Sequence, residues 1–235
     1  MTDDYIKLAK KIASNFLLVN NYYPTSKSNK AKYAFYQIMT PFVKAHYKLF
    51  NFLYPQRPWT SPASIIFFDR VLKDDMVGLE YGSGRSTLYF SKRIKKLVSI
   101  EHNEEWYKLV QNRLKENNIE NVDYFLFPKE HVDYNKDDLD IYLNEHDEQE
   151  SKKTFEKYYN KVNDYPDGFF DFVIIDGRAR VRSGLNSIDK LKSGGIFVLD
   201  NSERERYNPL HEALESWLMV KTTNGITNTT IWVKP

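Results

Sequence analysis

VGLEYGSGRSTLYFSK, residues 77–92, is the stretch that decides the fold. A short apolar run carries the acidic Glu80, then come Gly82, Ser83 and Gly84, and a helical pattern opens at about Ser86. Read locally, this is a buried strand, a tight turn and a helix start. Glycine permits the turn and lets a ligand approach the backbone closely. The helix start presents unpaired amides and the positive end of its dipole, so a polar ligand is expected there. A Gly-x-Gly turn can also simply join a strand to a helix, so the neighbouring segments must decide.

About twenty residues further on, KLVSIEHNEEWY (residues 96–107) ends a second apolar run in Glu101, the place where an acid in such folds accepts hydrogen bonds from two ribose hydroxyls. His102 and Asn103 follow. Nothing nearby in sequence supplies His102 with an orienting partner, so it reads as a neighbour of a bound cofactor rather than as a base. VDYFLF (122–127), FFDFVIID (169–176) and GIFVLD (195–200) repeat the short apolar run closed by an acidic or turn residue, with helical stretches between most of them. That alternation predicts an α/β fold, a doubly wound and mostly parallel sheet with helices on both faces. WLMVKTT, a turn at Asn224 and Gly225, and NTTIWVKP predict an antiparallel hairpin at the C-terminus.

Upstream, Thr60 or Ser61 is expected to cap a helix over SIIFFDRVL, with Pro62 in its first turn. Residues 31–53 predict one or two helices with Pro41 at a start or kink, and their aromatic density predicts burial. Asp4 to about Val19 carries Ile6, Ile12 and Phe16 on a further helical stripe. The expected organisation is a helical N-terminal cap over residues 1–58 and a catalytic domain over 59–235. The spacer 129–165 exceeds an ordinary crossover and is expected to hold an inserted lid, with a solvated acidic face as the alternative.

Composition narrows the chemistry. The 235 residues contain no cysteine, which removes disulfides and thiolate nucleophiles together. Lys+Arg 34 against Asp+Glu 32 leaves a formal charge of +2, too balanced to imply a nucleic-acid or membrane partner. No run reaches the ~18 apolar residues of a membrane helix, and no signal-peptide pattern opens the chain, so the expected location is cytoplasmic.

EYGSGRST, SIEHN, DFVIIDG and GGIFVLDN, taken together from about Trp59 onward, resemble the class I S-adenosylmethionine-dependent methyltransferases, whose fold is Rossmann-like. The resemblance implies that Glu80, Gly82, Ser83 and Gly84 hold the methionine end of the cofactor and Glu101 the ribose, with His102 and Asp176 beside it. The absence of the third glycine of the NAD fingerprint points the same way. DFVIIDG ends in Asp176 and GGIFVLDN in Asp200 and Asn201, both at the edge where open α/β sheets bind ligands. This is similar to the catechol-type O-methyltransferases, where such residues hold Mg²⁺. The resemblance implies Asp176, Asp200 and Asn201 as metal ligands, and Asp176 and Asp200 as the groups that orient or deprotonate the acceptor. That family has a lysine shortly after the first Asp, whereas this chain has Arg178, Ala179 and Arg180, and an arginine is a poor base. Arg178, Arg180, Arg182, Arg204 and Arg206 would either clamp an anionic acceptor or pair with nearby acids, and the sequence leaves both open. No Asn-Pro-Pro-Tyr or Asp-Pro-Pro-Tyr follows Asp176, which favours oxygen acceptors. The expected partner is therefore a small-molecule acceptor with an oxygen nucleophile and an anionic group. An aminopropyltransferase and a non-catalytic nucleotide-binding module remain the alternatives.

Overall fold

The computed structural model describes residue 7 and residues 30–130, 154–224 and 226–235. The helix read over Asp4 to Val19 falls outside these apart from residue 7, and so does the central part of the expected lid, residues 131–153.

Seven strands form one sheet in the order β3-β2-β1-β4-β5-β7-β6. They are β1 Val77–Tyr81, β2 Lys96–Glu101, β3 Val122–Leu126, β4 Phe170–Ile175, β5 Leu191–Asp200, β6 Leu218–Thr223 and β7 Asn228–Val233. β1 to β5 pair in parallel, and β7 pairs antiparallel with both β5 and β6. Each run read as a strand is one, and the C-terminal hairpin is the antiparallel addition its turn residues predict.

Alternation within the strands supplies two cores. Leu79, Val98, Val173, Phe197 and Trp232 face one side, and Leu97, Phe172, Ile174, Val198 and Ile231 face the other. Both faces are covered, so most central strand positions are apolar, Glu80, Ser99 and Asp171 being exceptions, and the runs look nearly continuous in sequence. The helices are α1 Lys30–Leu53, α2 Pro62–Val71, α3 Arg85–Ser91, α4 Glu104–Glu116, α5 Glu156–Asn160, α6 Arg180–Ser187 and α7 Asn208–Ala213. Ser61 caps α2 by accepting a hydrogen bond from the Ser64 amide at 3.2 Å, with Pro62 in the first turn. The part of the spacer that is described ends in α5 and a 3-10 turn over Lys161–Asp164, and its Phe155, Tyr158 and Val162 are buried in the first core.

The expected burial of α1 needs correction. Pro41 lies inside one continuous helix, and Ile38, Phe42 and Phe52 are 67%, 68% and 79% exposed. These residues share one side of the helix, and the opposite side brings Phe50 against the second core and Tyr47 toward the sheet edge. Aromatic density marked a helix with one packed face, where burial was expected. Among the described residues no helix is long and apolar enough to cross a membrane.

Candidate active site

The parallel register brings the carboxyl ends of β1, β2, β4 and β5 to one edge, with Tyr81 opposite Ile100 and Ile175, and Ile175 opposite Leu199. The strand order reverses direction between β1 and β4, so the crevice of a doubly wound sheet opens there. A cavity of about 730 Å³ occupies it, lined among others by Gly82, Ser83, Glu101, Trp106, Asp176 and Arg178. That volume suits a ligand the size of a nucleoside derivative.

Gly82 has φ +89, and a side chain on it would meet the Gly177 backbone at 2.6 Å. The turn after β1 and the turn after β4 therefore touch through two glycines, and a Cβ on Gly177 would lie 1.9 Å from the Tyr158 hydroxyl. The sequence reading gave Gly82 to ligand approach. The structure adds a second demand, contact with the other loop. Gly82→Ala or Gly177→Ala is expected to cost about 2–4 kcal/mol in urea unfolding, because strained φ or overpacking must be absorbed by backbone. Gly168→Ala serves as the control: its φ of +63 is equally unusual but nothing lies within 4 Å, so it should cost only ~1 kcal/mol.

Glu101 is 2% exposed, and chain donors fill its carboxylate. One oxygen accepts from the Ser83 amide at 2.9 Å and the Ser83 hydroxyl at 2.8 Å, the other from the amides of His102 at 2.8 Å and Asn103 at 2.9 Å. Burial works against the ionised form, but the His102 side chain and the amides of Asn103 and Ser83 outweigh it and hold the carboxyl down at about 2. His102 Nδ1 lies 2.9 Å from Glu101 Oε1 but outside hydrogen-bonding geometry, so the ring is a close neighbour of the carboxylate. The Ser83 hydroxyl is also 2.6 Å from the Tyr124 hydroxyl, and the Ser83 carbonyl accepts from the Trp106 indole at 2.6 Å. Of the four donors on Glu101, three are backbone amides fixed by the fold. The Ser83 hydroxyl is the one that rotation can free to make room for a ligand's hydroxyls.

Glu80 lies behind the turn, fully buried. One oxygen accepts from the Thr87 and Ser99 hydroxyls, both at 2.6 Å, while the other makes no hydrogen bond. Burial, opposed by hydroxyl hydrogen bonds, pushes its pKa up to about 7. Gly84 caps α3, its amide donating to the Thr87 hydroxyl at 2.9 Å, and meets nothing tighter than the Trp106 ring at 3.7 Å. The carboxylate read as a cofactor contact thus braces the base of the turn.

Two residues are in left-handed backbone, Ala179 at φ 47, which precedes α6 in the loop after β4, and Asn201 at φ 52, which follows β5 directly. Such strain on residues other than glycine gathers at functional edges. Arg180 opens α6 and is 9% exposed. Its guanidinium lies 3.0 Å from an Asp176 carboxylate oxygen, donates to the carbonyls of Asp176 and Gly177, and donates to the Asp200 carbonyl. It staples the ends of β4 and β5 together. The Asp200 carboxylate accepts from the Thr229 hydroxyl at 2.6 Å, and burial with the neighbouring Asp176 charge pushes it up to about 8. Burial also raises Asp176, against the pull of Arg180 and Arg204. The Asp176 side chain is about 30% exposed and faces the cavity, as do Arg178 and Arg204.

These residues do not fit the magnesium site that the resemblance implies. A permanent cation, Arg180, already stands against Asp176 and the Asp200 backbone, and Asp200 turns its carboxylate to Thr229. Asn201 lines a separate cavity of about 270 Å³ with Tyr47, Asn51, Trp59 and Asn224. Among the described residues no three His, Cys, Asp or Glu side chains converge on one point.

Of the residues read from sequence, the cavity gathers Gly82, Ser83, Glu101, His102, Asp176 and Arg178, while Glu80 and Asp200 lie behind it and Gly84 caps α3 beside it. Trp106, Tyr124 and Thr229 were missed as participants, and Arg180 takes the second of the two readings left open for it, pairing with an acid, Asp176. Trp106 had a signal, an aromatic residue one helical turn after Asn103. Thr229 had none, since it arrives from the hairpin 29 residues away.

The sheet order with its antiparallel β7 is that of the class I S-adenosylmethionine-dependent methyltransferases, and solved structures show this fold. A Streptococcus mutans protein assigned as a methyltransferase and crystallised in complex with SAH is 12% identical, with a TM-score of 0.51 over 72% of this chain and 94% of that one. A methyltransferase from Geobacter sulfurreducens is 9% identical, with a TM-score of 0.51 over 82% of this chain and 88% of that one. No protein-family model and no curated protein matches the chain.

Proposed function

We propose that this chain binds S-adenosylmethionine in the cavity at the β1–β4 crevice and transfers its methyl group to a small anionic acceptor through an oxygen atom. The observation that carries the reading is Glu101. It is an ionised carboxylate at the end of β2, held by amides beside a glycine turn, with a single hydroxyl that a ribose can displace. In this reading Glu101 takes the ribose hydroxyls, the Gly82–Gly84 turn takes the methionine end, and Trp106 and His102 wall the nucleoside.

The acceptor oxygen attacks the sulfonium methyl carbon in line as the carbon–sulfur bond breaks, its electron pair staying on sulfur. The acceptor's proton passes to Asp176, the exposed member of the raised Asp176–Asp200 pair, directly or through water. Arg178 and Arg204, on the same cavity wall, hold the acceptor's negative group, an arrangement unsuited to the cationic acceptor of an aminopropyltransferase. The chain contributes orientation and exclusion of water, and no step runs through a metal. Residues 1–58 act as a cap over the domain 59–235, and α1 lends Tyr47 and Asn51 to the smaller cavity beside Asn201, where the acceptor's body sits.

The test is calorimetric titration of S-adenosylmethionine and S-adenosylhomocysteine with NAD as control, followed by a screen of anionic hydroxy compounds for formation of S-adenosylhomocysteine. Failure of both sulfur ligands to bind folded protein removes the proposal. Asp176→Asn should lower kcat by about 10²–10⁴ while S-adenosylhomocysteine affinity changes only a few-fold, the pattern of a lost proton acceptor. Equal losses in both would make Asp176 a binding residue instead.

A further inference from the structure

A second cavity, of about 640 Å³, lies on the other side of α3 and shares no lining residue with the first. Arg57, from the turn after α1, Arg85 and Lys92, on and just after α3, and Arg113, near the end of α4, line it, and among the described residues no aspartate or glutamate does. Among the described residues none of these four cations pairs with a carboxylate. No contact of the Arg113 guanidinium is seen among them, Lys92 reaches the Asn117 side-chain oxygen at 3.3 Å, and Arg85 reaches the Asn51 carbonyl at 3.5 Å. The fifth cation, Arg93, is paired with Asp69 at 3.0 Å and lies 3.5 Å over the Tyr89 ring. The formal charge of the whole chain is only +2, so this concentration is local.

Two of the guanidinium groups are already ordered. Arg57 lies 4.8 Å over the Tyr54 ring and Arg85 5.1 Å over the Trp59 ring. A stacked guanidinium keeps its donor edge available while losing rotamer freedom, which lowers the cost of binding. Leu53, Pro55 and Leu88 add an apolar wall, and Leu53 is 58% exposed. Like charges around a concavity repel one another, and a multiply charged anion relieves that repulsion. The forks of arginine match the oxygens of a phosphate. The volume holds a small molecule with a body to lay on the apolar wall.

We infer that this cavity is a binding site for a small organic phosphate, a phosphate ester with an apolar body, separate from the cofactor and acceptor cavities. The inference does not rest on the methyltransferase reading, because it uses none of that site's residues.

The experiment is calorimetric titration of 1-naphthyl phosphate into the full chain, the Lys92→Gln/Arg113→Gln double variant and Arg178→Gln. Arg178 belongs to the other cavity. Binding to the wild type, weakened about 10–100-fold in the double variant and unchanged in Arg178→Gln, is the expected result. Arg57→Gln repeats the test should the double variant fail to fold. Absence of binding overturns the inference, as does binding lost only in Arg178→Gln. An RNA oligonucleotide that displaces the naphthyl phosphate and binds far more tightly would overturn the small-ligand assignment in favour of nucleic acid.

Discussion

Glu101→Ala is expected to weaken S-adenosylhomocysteine binding by at least about 100-fold, since two hydrogen bonds from ribose hydroxyls to an ionised acceptor are worth ~1.5 kcal/mol or more each. The substitution also strands the amides of Ser83, His102 and Asn103, which now share that carboxylate. Part of the loss will therefore come from a loosened turn rather than from the missing contact. Two further variants separate these effects. Ser83→Ala removes the one displaceable donor and leaves every amide in place. If the Ser83 hydroxyl competes with the ligand, Ser83→Ala binds S-adenosylhomocysteine as tightly as the wild type or a few-fold better. Tyr124→Phe leaves the Ser83 hydroxyl on Glu101 and removes the other group it can turn to, so this variant should bind S-adenosylhomocysteine no better than the wild type. The result that sinks the cofactor site is a Glu101→Ala protein that melts cooperatively and binds S-adenosylhomocysteine as the wild type does.

The sheet and its crevice were legible because the strands are buried on both faces. A strand such as Phe170–Ile175 is apolar and buried at every position but Asp171, and each run ends where the chain leaves the core, so sequence marks both the element and the edge at which it ends. Glu101 was legible for a related reason, an acid at the end of such a run about twenty residues past a glycine turn. The local sequence could not show what fills the acid. Whether Glu101 meets amides, His102 or Ser83 depends on how two loops fold back.

Arg180 illustrates the same limit. Arg178, Arg180 and Arg182 look alike in a row, and α6 begins at Arg180, which turns that one guanidinium onto the ends of two strands. The magnesium reading placed Asp176, Asp200 and Asn201 by analogy and finds no support here, because Arg180 stands against the Asp176 carboxylate and the Asp200 backbone. The exposed side of α1 was illegible for another reason. Aromatic residues on both sides of a helix give no sequence signal of which side has a partner.

Glu80 and Asp200 should make the protein less stable as pH rises, a trend opposite to ordinary acid denaturation. Glu80 is raised from 4.5 to about 7 and Asp200 from 3.8 to about 8, burial being the first cause in both. A carboxyl whose folded pKa lies above its unfolded one keeps its proton longer in the folded chain. The stability it contributes is fully present below the unfolded value and is lost as pH rises through the folded value. Glu101 acts in the other sense. Lowered from 4.5 to about 2, it stabilises above 4.5, and that contribution goes as pH falls toward 2. The three together place the optimum of this group at mildly acidic pH, with a decline between about 5 and 8. For Glu80 alone the decline is on the order of 3 kcal/mol, from the free energy of each pKa unit. Urea unfolding across that range checks it with Glu80→Gln, which keeps an acceptor for Thr87 and Ser99 and cannot titrate. Its amide will strand a donor where Glu80 now has an unpartnered oxygen, at a cost of ~1–3 kcal/mol that is the same at every pH. The slope is therefore the diagnostic, and the variant should decline less steeply than the wild type, with Asp200→Asn removing much of the remaining fall. Wild-type and Glu80→Gln profiles running parallel from about pH 5 to 8 would mean that Glu80 stays ionised in the fold, its charge carried by the Thr87 and Ser99 hydroxyls despite burial.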